Sequence, residues 1–229
     1  FVQAPTDRVE QFRDLVRWIG EEVTPQDRVI YIRETNARDT AAVKIMTQIL
    51  NDSGINYNTF SYNILQGRDI TAPLLAKLTK EGTNRFIIES ESEAWVNDVV
   101  RNLNLLYTNP LEENRRSVIL FGTPRWRNFE SIEVDYFHKM NLHLSIPYYV
   151  DYSRKQVKEF LMKYRALFNG EPTPYAFQGY DITMMSTGHG ETTLQSTYRF
   201  KKDNAGDGMK NTGTTNIVYN KDYTISVIE

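Results

Sequence analysis

The chain has 229 residues, with 27 Lys and Arg against 29 Asp and Glu, for a formal net charge of −2. That length serves one large domain or two small ones with a real core, and the balanced charge gives no global attraction to nucleic acid or an anionic membrane. Cysteine is absent, which excludes disulfides, thiolate metal sites and a cysteine nucleophile.

No apolar run approaches the roughly 20 residues of a membrane span. Phe1-Val-Gln-Ala-Pro5 carries neither an initiator Met nor a signal peptide and reads as the start of a mature or truncated chain. From there Thr6 or Asp7 caps a helix whose apolar positions, Val9, Phe12, Leu15, Val16, Ile19 and Val23, make one stripe at a 3.6 period. Arg28-Val-Ile-Tyr-Ile-Arg33 is a buried strand. Helix 40–52 turns Ala42, Ile45, Met46, Ile49 and Leu50 inward and stops at Gly54. A second strand runs from Asn56 to Tyr62, and Asp69 caps a helix ending at Glu81-Gly82. Arg85–Glu89 is the third strand, followed by a helix over Glu93–Tyr107 with Trp95, Val99, Leu103 and Leu106 on one face. Ser117–Phe121 is the fourth strand, Asn128–Met140 a helix, and Leu142–Tyr149 the fifth strand.

Ser153-Arg-Lys-Gln156 has the spacing of a capping box, and the helix it opens has Val157, Phe160, Leu161, Tyr164, Leu167 and Phe168 as its expected buried stripe. Asn169-Gly170 closes it, and Tyr175–Met185 is a further helix. Leu194–Lys201 alternates as a strand, Asp203–Gly208 is a turn cluster, and Asn216–Tyr219 with Tyr223–Ile228 forms a β-hairpin. Strand and helix alternate four times between Arg28 and Asp151. Such a chain buries its strands by stacking them in parallel between helices. The expected fold class is therefore α/β, a parallel-sheet three-layer lobe with a C-terminal β-hairpin region. The expected division is a lobe at 1–151 and returning helices and strands at 152–229.

Pro147-Tyr-Tyr-Val-Asp-Tyr152, Val157-Lys-Glu-Phe160, Tyr164-Arg-Ala-Leu-Phe168, Glu171-Pro172 and Tyr175-Ala-Phe-Gln-Gly-Tyr-Asp181 together resemble one family pattern. The pattern is that of the type I periplasmic binding-protein fold, in the branch of leucine/isoleucine/valine-binding proteins. Phe1–Asp7 is similar to the crossover by which those proteins enter their second lobe. Trp126-Arg-Asn-Phe129, Asp135-Tyr-Phe-His138, Ala176-Phe-Gln-Gly-Tyr180, Asn211-Thr-Gly213 and Tyr219-Asn-Lys-Asp-Tyr223 are similar to the degenerate solute-binding domain of LysM-linked envelope proteins of Bacteroides-type bacteria. The resemblance implies that the first lobe is absent and that residues 153–229 complete that other lobe in the intact family; at 187–192 the family has a longer helix and linker, and this segment reads either as a native linker or as a shortened one. The chain departs from the amino-acid binders at Arg38-Asp39, where they carry Tyr-Gly, and at Gly122-Thr-Pro-Arg125.

In a parallel α/β sheet, ligands sit beyond the carboxyl ends of the strands, which selects Thr35, Asn36, Arg38, Ser90, Glu91, Arg125 and Trp126 as ligand-binding candidates. An indole face beside Arg and Asn donors suits a sugar or an amphipathic ring. The competing reading makes Trp126 a loop anchor and leaves both arginines in solvent. Tyr175, Phe177, Gln178, Tyr180 and Asp181 read first as hinge packing with a local cap, with a ligand role as the lesser alternative. His138 and His143, five apart across a helix end, lack zinc spacing, and His189 is a loop residue. Ser186–Gly190 lacks a nucleophile elbow, phosphate-cradling glycine motifs are absent, and Asp203–Gly208 lacks the closing acid of a calcium loop. No catalytic residues, metal or cofactor are expected.

The resemblance implies a non-enzymatic, ABC transporter-like solute receptor of the periplasm or the outer-membrane-associated envelope, capturing an amino acid, sugar or cell-wall fragment in an interlobe cleft. Its further partners would be a membrane transporter, the peptidoglycan cell wall, or a second copy paired through 153–229, with no nucleic acid. The alternatives are a protein-interaction module with a vestigial cleft and exposed Trp126, Tyr148 and Tyr149, and a flavodoxin-like nucleotide-binding enzyme.

Overall fold

The computed structural model describes residues 2–35, 40–64, 70–189, 192–202 and 208–228. In chain order the elements are β1 (Val2–Gln3), α1 (Arg8–Glu22), β2 (Arg28–Glu34), α2 (Thr40–Ser53), β3 (Tyr57–Tyr62), α3 (Thr71–Leu75), β4 (Thr83–Ile87), α4 (Glu93–Tyr107), β5 (Ser117–Phe121), α5 (Val134–Lys139), β6 (His143–Ile146), α6 (Lys155–Phe168), α7 (Pro174–Ser186), β7 (Phe200–Lys202), β8 (Met209–Asn211), β9 (Thr215–Tyr219) and β10 (Ile225–Ile228). They divide into two compact units, Phe12–Ser145 with Asn216–Glu229, and Phe1–Gln11 with Ile146–Thr215. The sequence reading divides the chain at 151/152 and sends the terminal strands to the returning elements; in the structure β9 and β10 join the large sheet.

The larger unit is built on a seven-stranded sheet in the order β10-β9-β6-β5-β4-β2-β3. β3, β2, β4, β5 and β6 run parallel, in registers such as Ile32 opposite Phe60 and Ile30 opposite Phe86. The parallel α/β expectation therefore holds, and in the terminal hairpin β10 pairs antiparallel with β9. Alternation along each strand sorts the core into two faces. Val29, Tyr31, Ile87 and Phe121 pack with Phe12, Leu15, Trp18 and Ile19 of α1 and with Met46 and Leu50 of α2. Ile30, Ile32, Phe86 and Leu120 are equally buried and point the other way, and α4 buries Trp95, Val99 and Leu103. Each such side chain contributes about 1.5–3 kcal/mol by leaving water.

The smaller unit holds a three-stranded sheet, β1-β8-β7. Its core is Val157, Phe177 and Leu194, with Phe160, Leu161 and Tyr180 against them. Asp7 is the cap of α1, its Oδ1 accepting the Glu10 N–H at 2.9 Å.

Several expected elements change, each for a visible reason. The helix expected to end at Glu81-Gly82 stops at Leu75. The Asn84 side chain takes both the N–H and the carbonyl of Thr79, each at 2.9 Å, and holds that stretch as a turn. Its expected cap, Asp69, lies outside the described residues. The expected helix 128–140 is a 3₁₀ turn at Pro124–Asn128 and then α5. Between them, Glu93 Oε1 draws off the N–H groups of Glu130 and Ser131 at 2.7 and 2.6 Å. The Ser153–Gln156 capping box does not form. Arg154 is the N-cap without a side-chain bond, and the Ser153 N–H goes to Asp151 Oδ1 at 2.8 Å. The strand expected from Leu194 is confined to β7, because the amides of residues 194–196 bond to Asp181. β6 ends at Ile146 instead of Tyr149, where Pro147 has no N–H for a ladder. The turn cluster at 203–207 lies outside the described residues.

Candidate functional site

From β2 the chain passes to one side, to β3, and then returns to the other side, to β4. At such a reversal the two following loops leave in opposite directions and open a crevice at the carboxyl edge. Thr35 follows β2, Ser90 and Glu91 follow β4, and Arg125 and Trp126 follow β5. The structure thus gathers these five candidates on the ends of three adjacent strands. Asn36 and Arg38 lie outside the described residues.

The candidates differ in what they present. Thr35, Glu91 and Arg125 are exposed and Ser90 is half-buried. The Thr35 N–H is held by the Tyr62 carbonyl at 2.9 Å, which fixes the exit of β2 against β3. Trp126 is completely buried. Its indole N–H donates to the Ser90 carbonyl at 3.0 Å, and its ring stacks near Phe129 and Phe137. Of the two sequence readings of Trp126, the loop anchor describes its position. Its ring offers no face to a ligand, and it cannot belong to an exposed contact patch. Tyr148 is 51% exposed and Tyr149 half-buried.

Beneath the edge lies a layer of buried polar groups that the sequence reading did not single out. Burial lifts the Tyr31 phenol well above its ordinary pKa, and the charge of Glu89 adds to the effect. Tyr62 is lifted in the same way, by burial and then by Asp98, to which its O–H donates at 3.2 Å. Both phenols therefore remain neutral donors at physiological pH. Glu89 is buried. Thr123 Oγ1 is buried and has no hydrogen-bond partner among the described residues. The only sequence signal for Thr123 was its place directly after Gly122 in the post-strand turn. The α4 N-terminus opens at this edge, and Glu93 in its first turn ties down the loop after Arg125. The backbone N–H of Ser131, followed by its side chain, holds the Glu93 carboxyl below its usual pKa.

His138 and His143 are both buried, and each Nδ1 meets a backbone carbonyl: Asn220 at 2.7 Å and Asn141 at 2.6 Å. Among the described residues no group of His, Asp and Glu has the arrangement of a metal centre, and no helix is long and apolar enough to cross a membrane.

The fold has counterparts among solved structures. An ABC transporter substrate-binding protein from Desulfitobacterium hafniense, solved in complex with Leu, matches 96% of this chain and 65% of its own, with a TM-score of 0.57 and 12% identity. The leucine-binding protein LivK of Thermotoga maritima matches 99% of this chain and 66% of its own, with a TM-score of 0.54 and 10% identity. The fold is that of the type I periplasmic binding proteins. The C-domain of LpoA from Haemophilus influenzae, a regulator of PBP1A, shares it too, with a TM-score of 0.53 and 10% identity over 96% of this chain and 67% of that one. The chain spans just under two thirds of the length of the two substrate-binding proteins. No protein-family model and no curated protein sequence matches it. At these identities the type I likeness speaks for the fold alone.

Proposed function

We propose that this chain is a non-enzymatic binding domain of the cell envelope, in the periplasm or at the outer membrane, that captures a small solute at the carboxyl edge of its parallel sheet. The observation that carries the reading is the coincidence of two things. The fold is shared with a substrate-binding protein solved with Leu, and the exposed polar residues Thr35, Glu91 and Arg125 sit with Ser90 on the ends of β2, β4 and β5, at and beside the reversal of strand order. Arg125 would hold an anionic or hydroxylated group, Glu91 a cationic or hydroxyl group, and Thr35 and Ser90 would orient the solute by hydrogen bonds. Trp126 would act only by fixing the loop that carries Arg125. Asn36 and Arg38 belong to the proposed set by their place after β2. The wider partners would be a membrane transporter or a cell-wall component.

The test is a thermal-shift screen of the chain against amino acids, neutral sugars and muropeptides. A solute that binds only the native state must raise its stability, by about 2.7 kcal/mol at a hundredfold excess over Kd. One class should raise Tm, and Arg125→Ala should abolish that rise while leaving the ligand-free Tm unchanged. Uniformly absent shifts, or a screen in which no shift is sensitive to either Arg125→Ala or Glu91→Ala, would overturn the reading.

A second reading, an interaction module, is favoured by α6, whose Met162, Leu167 and Phe168 are 62%, 77% and 66% exposed. Concentration-dependent sedimentation that is lost in Leu167→Glu would support it.

A further inference from the structure

The smaller unit contains a pocket of about 420 Å³ that the solute reading leaves unused. Its volume falls within the range of roughly 300–1,000 Å³ usual for small-molecule sites. Tyr148, Tyr175 and Tyr198 supply aromatic surface, and Gln178, Gln195 and Ser196 supply hydrogen-bonding groups. Pro5, Pro147 and Pro174 complete the wall, and their fixed φ makes that wall stiff.

The backbone of two lining residues, Gln195 and Ser196, is fixed by a buried carboxylate. Asp181, completely buried, accepts the N–H groups of Leu194 at 2.6 Å, Gln195 at 2.9 Å and Ser196 at 2.8 Å. The Gln195 carbonyl in turn accepts the Tyr149 N–H at 2.7 Å, joining the Tyr148 side to the Gln195 side. A site fixed in this way loses little entropy when a ligand enters.

Its chemistry is selective. None of the described residues lining it is Lys, Arg, His, Asp or Glu, and the Asp181 carboxylate beneath is engaged by three amides. A carboxylate, phosphate or ammonium entering here would lose hydration without an opposite charge to replace it. The two primary amides, by contrast, have capacity to spare. Each carries two N–H donors and a carbonyl acceptor. Gln195, although only 6% exposed, makes one long side-chain bond among the described residues, Nε2 to the Pro174 carbonyl at 3.4 Å. Tyr175 is 81% exposed and Tyr148 51% exposed, so their rings are open to a ligand. Aromatic faces beside uncharged amides and a hydroxyl fit a ring with an apolar face and a hydroxylated rim.

We propose that this pocket is a subsite for a neutral pyranose, a hexose unit of a glycan. It does not depend on the carboxyl-edge reading, because it shares no residue with that edge.

The experiment titrates the chain with methyl β-glucopyranoside, methyl α-mannopyranoside and the methyl glycoside of N-acetylglucosamine, read by saturation-transfer NMR and calorimetry. A proline-rich peptide and free leucine serve as comparison ligands. At least one glycoside should bind saturably and weaken about tenfold in Tyr175→Ala, the loss of one stacking partner. Arg125→Ala should leave that binding intact. Tyr175 is exposed, so its removal does not threaten folding, and Tyr148→Ala provides a second variant with the same expected loss. The proposal is overturned if none of the glycosides binds, if binding survives both tyrosine substitutions, if it vanishes in Arg125→Ala alone, or if only the proline-rich peptide binds.

Discussion

Gly122 and Trp126 are in direct backbone-to-ring contact: a Cβ placed on Gly122 would lie 2.7 Å from Cδ2 and Cε3 of the indole. No side chain fits there, so a glycine after β5 lets the indole reach the Ser90 carbonyl on the neighbouring strand end. Gly122→Ala should therefore push the ring off its site and destabilise the larger unit by about 1–3 kcal/mol, the usual cost of overpacking. Urea unfolding followed by tryptophan fluorescence measures this. Trp126→Phe, which keeps a ring but removes the N–H, should cost less than Gly122→Ala if steric fit dominates.

Asp181 makes a second demand of the same kind. Its two oxygens satisfy three consecutive amides, and an alanine there would leave buried donors unmet, at about 1–3 kcal/mol each. Asp181→Ala should accelerate hydrogen exchange at residues 194–196 by orders of magnitude. Exchange in β2 and β5 should be much less affected. Unchanged exchange at 194–196 would show that the carboxylate does not hold this loop.

Much of the fold was legible because its signals are local. α4 and β5 occur at their expected bounds, since a 3.6 stripe and a short apolar run are read within one window. Three of the failures share a cause: the side chains of Asn84, Glu93 and Asp181 take backbone groups from Thr79, from Glu130 and Ser131, and from residues 194–196, all outside their own segments. No periodicity carries that information. The early end of β6 before Pro147 and the turn at Asp151 are set instead by neighbouring residues. The carboxyl edge was legible to the extent that strand ends were. The burial of Trp126 was not, because it depends on the close approach at Gly122. The layer beneath the edge, Tyr31, Glu89 and Thr123, needed the sheet order to bring three separate strands together.

A buried ionic group gives a pH prediction. Arg85, 7% exposed, bonds Glu22 at 2.8 Å and Asp27 at 3.3 Å. Both carboxyls have lowered pKa values. For Glu22 the His143 side chain is the main cause, opposed by burial and aided by Arg85. For Asp27 burial pushes up, and the amides of Thr24 and Thr83 with Arg85 outweigh it. A pKa lower in the folded than in the unfolded chain contributes stability above the unfolded value, near about 4, and loses it as pH falls through the folded one. The urea midpoint should therefore hold steady from about pH 7 to 5 and decline below about pH 4. Asp27→Asn should flatten that decline and lower the plateau by on the order of 3 kcal/mol, because a buried cation loses a partner. An acid limb as steep in Asp27→Asn as in the parent chain would remove Asp27 from the account.

The last prediction concerns α6, where the expected stripe is only partly covered. Val157 is completely buried and Phe160 and Leu161 are partly so, yet Leu167 and Phe168 stand 77% and 66% exposed. Towards its end the helix runs beyond the small core formed by Val157, Phe177 and Leu194, so its apolar spacing continues without cover among the described residues. Burial, not hydrophobicity, sets the cost of truncation. Leu167→Ser should therefore change unfolding free energy by no more than about 0.5 kcal/mol, as for most surface positions. Val157→Ala, in the first turn of the same helix, should cost several times more, because it opens a cavity in a core of few side chains. Thermal denaturation of the two variants side by side decides the matter. Equal losses would mean that the end of α6 is covered in solution, by a second copy or another partner, and that its stripe is as well buried as its spacing led one to expect.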